Sequence, residues 1–98
     1  MLSESARPVR EDERLAMLAA LVDGDVSLAC EFAVALLGEG LPFDDLVADV
    51  IAPVQAEVGR RWAVGDLSVA DEHSASAVVE ALLVRVGVVA EASDGPAV

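Results

Sequence analysis

The sequence predicts an all-α protein in which four helices form an antiparallel up-down-up-down bundle. Apolar residues recur at spacings of three and four in four segments, and no segment alternates as a β-strand would. Breaks of about two to five residues separate the segments, which is short enough to make successive helices antiparallel neighbours. Hydrophobic residues make up 55% of the chain, but only Phe32, Phe43 and Trp62 are aromatic, so we expect an aliphatic core.

The first two helices are predicted over residues 10–23 and 26–39, on either side of an Asp-Gly-Asp turn. Gly24 suits the left-handed conformation that ends a helix, and Asp25 can cap the next helix. The residues expected to be buried on the first helix are Leu15, Leu18, Ala19 and Val22. Those expected to be buried on the second helix are Leu28, Ala29, Phe32, Ala33, Leu36 and Leu37.

The third helix is predicted over residues 43–63, with Pro53 in its middle. Pro53 has no N–H and crowds the carbonyl of Asp49, so a kink is expected there, while the helix continues beyond it. The side chains expected to be buried along this helix are Leu46, Val47, Val50, Ile51, Val54, Val58 and Trp62.

The fourth helix is predicted to begin after Ser68 and to end near Ala92. Ser68 and Asp71 have the spacing of a capping box, in which each side chain accepts a hydrogen bond from the backbone of the other residue. The buried stripe of this helix is expected to hold Ala75, Val78, Val79, Leu82, Val86 and Val89. The length suits one domain, with the bundle over residues 10–92, a flexible arm over 1–9, and a disordered tail or the start of a linker over 93–98.

Composition and charge exclude several functions. The net charge is −12 and there is no Lys, so no cationic patch is available for phosphates and no direct nucleic-acid partner is expected. Cys30 is the only cysteine, which excludes an internal disulfide and a multi-thiolate metal site, and we expect a buried, inert thiol and no bound metal. The first residues lack the apolar core of a signal peptide and no apolar run is long enough to span a bilayer, so we expect a cytoplasmic protein without a membrane partner.

The candidate functional site lies where the third helix meets the fourth. A short connection places Trp62 near Val69, and Glu72 and His73 flank Val69 at helical spacing. An indole plane, an apolar contact, a carboxylate and an imidazole suit a flat apolar ligand with polar edges. Each residue also has an ordinary structural interpretation, with Trp62 in the core, Glu72 as a solvated acid of the first turn, and His73 at the surface or as a cap.

The same stretch resembles the helical cap module that precedes cobalamin-binding Rossmann domains. Such caps occur in methionine synthase, in corrinoid proteins of methyltransferase systems and in light-sensing cobalamin-dependent regulators. The resemblance covers about residues 10–92, and its motif reads Val58-Gly59-x-x-Trp62-x-x-Gly65-x-x-x-Val69-Ala70-x-Glu72-His73-x-Ala75.

The resemblance is closest to the photoreceptor branch, and it implies cobalamin as the cofactor, with adenosylcobalamin as the preferred form. Trp62 would cover or displace the upper axial face, and Val69 would make an apolar contact. Glu72 would hydrogen-bond the axial adenosyl group, and His73 would line the same pocket. The partner implied is a Rossmann-type cobalamin-binding domain, in cis or in trans.

Two features depart from that branch. Ala63 stands where the light-sensing repressors have a His that ligates cobalt after illumination. The chain also contains neither the Asp-x-His-x-x-Gly motif of the Rossmann domain, which supplies the lower ligand, nor a DNA-binding helix-turn-helix. We therefore expect weak or absent cobalamin binding by the module alone.

Two other functions compete with the cap. The alternative is a helical dimerisation or protein-interaction module without a bound cofactor, with a homodimer as its partner. An enzyme that uses Glu72 and His73 as acid and base is disfavoured, because adjacent helical residues point about 100° apart. The chain is therefore expected not to be an enzyme.

Overall fold

The computed structural model describes residues 8–94, without the side chains of residues 89–94. Its helices are α1 (Glu11–Val22), α2 (Val26–Gly38), α3 (Phe43–Leu46), α4 (Ala52–Ala63) and α5 (Val69–Asp94), with a π-helical segment at Val47–Ile51. The backbone at the junctions of α3, the π-helical segment and α4 is itself helical, so these three elements form one continuous rod. We call it the third rod.

The helices α1, α2 and α5 are the other three rods. The four rods form an antiparallel bundle, which confirms the predicted fold class. The helix α5 packs against α1, α2 and α4, and α1 also contacts α2 and the third rod. The four predicted helices agree with the observed rods to within one or two residues at each end. The predicted flexible arm and terminal tail remain predictions, because residues 1–7 and 95–98 lie outside the described part of the chain.

All three connections between rods begin with the same hydrogen-bonded helix ending. Gly24, Gly40 and Gly65 have positive φ angles of 75°, 105° and 87°. At each ending the glycine N–H and the next N–H donate back to carbonyls of the last helical turn, the pattern of a Schellman motif. The Asp25 side chain then accepts a hydrogen bond from the Leu28 N–H at 3.0 Å, so the predicted cap of α2 is confirmed.

The core is aliphatic, as predicted, and among the described residues its buried members are all hydrophobic. The predicted buried face of α1 is partly wrong, since Leu15 and Ala19 are exposed while Met17 and Ala20 are buried. Residues 15–22 are apolar without interruption, so spacing alone could not select the inner face. The buried side chains of α5 include five of the six that were predicted, namely Ala75, Val78, Val79, Leu82 and Val86.

Pro53 is accommodated by two local adjustments. The π-helical segment directly precedes α4, and the Ala52 N–H donates to the Val47 carbonyl, one residue further back than in an α-helix. Because Pro53 has no N–H, it leaves the Asp49 carbonyl without the donor that an ordinary helix would supply. The Arg14 Nε atom of α1 donates to this oxygen at 2.8 Å. The helix therefore continues past Pro53, as predicted, while a side chain from another rod satisfies its freed carbonyl.

We predict that Arg14 and Pro53 are energetically coupled. Arg14→Met should lower the free energy of unfolding by about 1 kcal/mol, because it removes a charged donor from a backbone carbonyl. In a Pro53→Ala background the loss should be much smaller, since the alanine restores an N–H for the Asp49 carbonyl. Urea unfolding of the four proteins of this double-mutant cycle measures the coupling. Equal losses in the two backgrounds would show that Arg14 acts independently of the proline.

Candidate functional site

The corner between α4 and α5, residues 58–76, has a well-defined backbone. At the end of α4, the Gly65 N–H donates to the Trp62 carbonyl at 3.1 Å and the Asp66 N–H to the Arg61 carbonyl at 2.8 Å. At the start of α5, the Ser68 N–H donates to Asp71 Oδ2 and the Asp71 N–H to Ser68 Oγ, both at 3.1 Å. The predicted capping box is therefore confirmed. These bonds fix where α4 ends and α5 begins.

Trp62 does not lie in the core, which corrects the expectation that α4 buries it. It lies four residues after Val58, and therefore on the same helical face. Val58 is 2% exposed, whereas Trp62 is 49% exposed. The apolar face of α4 thus extends one turn beyond the core of the bundle, and its last member is the largest side chain in the protein.

Other apolar side chains are exposed at the same corner. Val64 follows α4 directly, Val69 is the first residue of α5, and each exposes more than half of its surface. The corner thus presents an indole and two aliphatic side chains to solvent within a short segment. Exposed apolar side chains bordered by polar residues are typical of a surface that binds a ligand or partner.

Glu72 and His73 differ in exposure although they are adjacent. The Glu72 side chain is 37% exposed and the His73 side chain 77%. Ser76 Oγ donates to Glu72 Oε2 at 3.4 Å, which links the carboxylate to the next turn of α5. His73 Nδ1 lies 4.0 Å from Glu72 Oε1, beyond hydrogen-bonding distance. The carboxylate is therefore partly held by the helix, and the imidazole extends into solvent.

The turn between α1 and α2 lies beside this corner, which the sequence did not reveal. A Cβ atom placed on Gly24 would lie 3.9 Å from both Cβ and Oγ of Ser74. Asp23 and Asp25, on either side of Gly24, are exposed. The end of the bundle that carries Trp62 therefore also carries the two carboxylates of the turn between α1 and α2. No sequence motif links this turn to the corner.

A carboxylate–arginine cluster on α4, one turn before Trp62, was also missed. Glu57 accepts hydrogen bonds from Arg60 Nε at 3.0 Å, Arg60 Nη2 at 2.6 Å and Arg61 Nε at 2.8 Å. The hydrogen bonds from Arg60, then those from Arg61, lower the pKa of Glu57 from 4.5 to about 2. The spacing Glu-x-x-Arg-Arg, with cations three and four residues after the acid, was the available signal.

The cluster borders a groove of about 410 Å³ between α1 and α4. Its apolar lining includes Leu15, Leu18 and Val54, and its charged rim includes Arg14 and Glu57. Arg14 therefore both donates to the Asp49 carbonyl and lines this groove. Trp62 is not among the residues that line it, but Arg61 belongs both to this lining and to the corner.

The described part of the chain contains neither a candidate metal site nor a candidate membrane span. No group of three or more His, Cys, Asp or Glu side chains among residues 8–88, whose side chains are described, is arranged to hold a metal ion. Over the same residues, no helix combines the length and apolar character needed to cross a membrane.

Comparison with known proteins identifies the family of the chain. A family model described as a B12 binding domain matches residues 14–86, which include the whole corner. The chain belongs to this family. The resemblance to the helical cap of cobalamin-binding proteins is therefore confirmed.

A similar protein carries a regulatory name. The chain is 41% identical over 85 residues to a Myxococcus xanthus protein named HTH-type transcriptional repressor CarH. The match covers 84% of this chain and 27% of the repressor, so the chain spans about a quarter of its relative's length. The family match therefore supports a cobalamin-associated helical domain.

We predict that Glu57 titrates near pH 2. Because its pKa is lower in the folded protein, its pairing with Arg60 and Arg61 stabilises the fold fully above about pH 4.5, and this contribution is lost as the pH falls towards 2. NMR titration of the Glu57 carboxyl carbon should show a midpoint near 2, and one closer to 4.5 in an Arg60→Met/Arg61→Met variant. An unchanged midpoint in the variant would contradict this account of the cluster.

Proposed function

We propose that this chain is a cap that covers the upper axial face of cobalamin and pairs with a Rossmann-type cobalamin-binding domain, in cis or in trans. The proposal rests on one observation. Trp62 continues the buried face of α4 but is 49% exposed, whereas Val58, one turn earlier, is buried. An indole exposed in that position offers a contact surface to a flat apolar ligand placed against the corner.

The corner residues fit such a ligand in shape and in polarity. Trp62, Val64 and Val69 offer aromatic and aliphatic surface, which favours contact with a flat macrocycle through removal of apolar area from water. Glu72 adds a hydrogen-bond acceptor at the edge of this surface. Bound cobalamin would supply a corrin ring and an axial group above its cobalt, and the corner would exclude water from that face.

Glu72 is suited to recognise the axial adenosyl group. Its Oε2 atom already accepts from Ser76, and within the described residues Oε1 accepts no hydrogen bond. The free oxygen is available to a hydroxyl or amino donor of the ligand, and the bond from Ser76 restricts the carboxylate's rotation. This is why we propose adenosylcobalamin as the preferred form. His73 lines the rim of the same pocket.

Ala63 occupies the position at which the light-sensing repressors have a His that ligates cobalt. Its methyl group has no lone pair, so this position supplies no ligand to cobalt. His73 is the only histidine in the chain. We therefore propose a cobalamin-responsive cap in a regulator, without a cobalt–imidazole bond from the end of α4.

In a repressor that contains such a cap, we assign DNA binding to segments other than the cap. With a net charge of −12 and no Lys, this chain is unsuited to contact DNA phosphates, so the DNA-binding step of a repressor would belong elsewhere. A cap also contacts only one face of the cofactor. Its affinity alone should be micromolar at best, on the order of 8 kcal/mol, because a small part of the ligand's surface is buried.

The proposal predicts a spectral change that depends on Trp62. Adding this chain to adenosylcobalamin and a Rossmann-type cobalamin-binding domain should shift the visible spectrum of the cofactor. Trp62→Ala should weaken the apparent affinity about tenfold or more, because aromatic contact with the corrin ring is lost. Spectral titration at fixed concentrations of cofactor and Rossmann domain measures the effect.

Leu15→Ala is the matched control for this experiment. Leu15 is also 49% exposed, but it lies on α1 in the groove and away from the corner. Its truncation should leave the spectral titration unchanged. Absence of any shift with the wild-type chain, or equal effects of the two substitutions, would refute the cap.

Glu72→Gln separates the axial group from the corrin ring. The substitution removes the charge of the acceptor, so binding of adenosylcobalamin should weaken about tenfold, as expected for loss of a charged hydrogen bond. Binding of methylcobalamin should change little, because a methyl group has no polar donor. Trp62→Ala should weaken both. If Glu72→Gln affected the two cobalamins equally, the proposed contact with the adenosyl group would be wrong.

A further inference from the structure

We propose that the outer face of α5 is a homodimer interface, in which α5 of one copy packs in parallel against α5 of a second copy. This inference is independent of cobalamin, because it uses residues outside the corner. The outer face consists of six residues, namely Ala77, Glu80, Ala81, Val84, Arg85 and Val88.

The outer face is apolar and turned away from the bundle. Val84 is 68% exposed and Val88 62%, and Ala77 is also exposed. The buried residues of α5, such as Leu82 and Val86, lie on the opposite side of the helix. No described segment of this chain therefore covers the outer face, and a second helix can approach it without meeting the rest of the bundle.

The apolar positions repeat with the spacing of a two-stranded coiled coil. Ala77, Ala81, Val84 and Val88 are separated by four, three and four residues, which are the intervals between successive d and a positions of a heptad. Small side chains at these positions allow close approach of two helices. The repeat spans fewer than two heptads, so the contact should be weak.

The charges that flank this seam select a second copy as the occupant and a parallel orientation. Glu80 falls at a g position and Arg85 at the following e position. In a parallel pair, a g residue of one helix faces the next e residue of the other, five positions further on. Glu80 of each copy would therefore face Arg85 of the other, giving two symmetric ion pairs. Neither residue forms an ion pair with the described side chains of residues 8–88.

Local charge also permits two copies to meet at this face. Residues 73–88 contain one acid, Glu80, and one arginine, Arg85, so with a neutral His73 they carry no net charge, whereas the whole chain carries −12. Two copies that meet at the outer face bring neutral surfaces together. In the parallel arrangement both corners also lie at the same end of the dimer, so each remains open to its own ligand.

Charge reversal tests the predicted pairing. Sedimentation equilibrium of the 98-residue chain at concentrations up to about 1 mM detects a dimer whose dissociation constant is as weak as that concentration. Glu80→Arg and Arg85→Glu should each weaken dimerisation about tenfold, because each replaces two attractions by two repulsions. The double variant, Glu80→Arg/Arg85→Glu, should restore it to within about threefold of the parent. A chain that is monomeric throughout, or a double variant no better than the single ones, overturns the proposal.

A disulfide tests the orientation. In a parallel pair each d residue faces the same d residue of the other helix. Val84→Cys in a Cys30→Ala background should therefore yield a covalent dimer on mild oxidation. Val34→Cys is the control, because Val34 is exposed on α2 and lies outside the outer face. Equal yields for the two variants, or a dimer that is lost on Trp62→Ala, would place the interface elsewhere and refute the parallel α5 pair.

Discussion

Burial of small aliphatic side chains is the constraint on which this bundle depends. The buried residues of the described chain are hydrophobic without exception, and many are Ala or Val, such as Ala29 and Ala33 on α2 and Ala75 on α5. Small residues allow the rods to approach closely, and dispersion contacts between them then supply the cohesion. A core of this kind has no polar network to fix its arrangement, so caps and connections define where each rod begins and ends. The largest side chain, Trp62, lies beyond its edge.

The third rod illustrates how a local constraint and a distant contact are combined. Pro53 would leave a carbonyl without a donor, and Arg14 supplies one from α1, 35 residues away in the chain. The π-helical segment adds a residue to the turn before the proline. Because α4 leads directly from this region to Trp62, the contact between Arg14 and Asp49 also helps to determine where the corner lies.

The helix α5 carries two surfaces for which we propose different roles. Its first turn contributes Val69, Glu72 and His73 to the corner, while its middle carries the outer face. The two surfaces share a rigid helix but no residue. A cap that binds its cofactor through one and a second copy through the other would bring cofactor occupancy and assembly onto the same helix.

The sequence by itself determined the features that depend on neighbouring residues. The four helices, the capping by Asp25, the Ser68–Asp71 box and the left-handed Gly24 all follow from hydrogen bonds within a few positions. The resemblance to the cobalamin cap was equally local, since its motif lies within residues 58–75. These parts were correctly predicted because the interactions that produce them close within one turn or one connection.

Only the tertiary structure determined which apolar residues are inside. Residues 15–22 are apolar on every side, so the inner face of α1 was fixed by the rods packed against it. Trp62 has the spacing of a core residue, and it is exposed because the other rods provide no cover at that end of α4. The Arg14 contact and the approach of the Asp23–Asp25 turn to Ser74 join segments far apart in the chain. Such contacts depend on how the rods pack, and spacing along one helix carries no information about them.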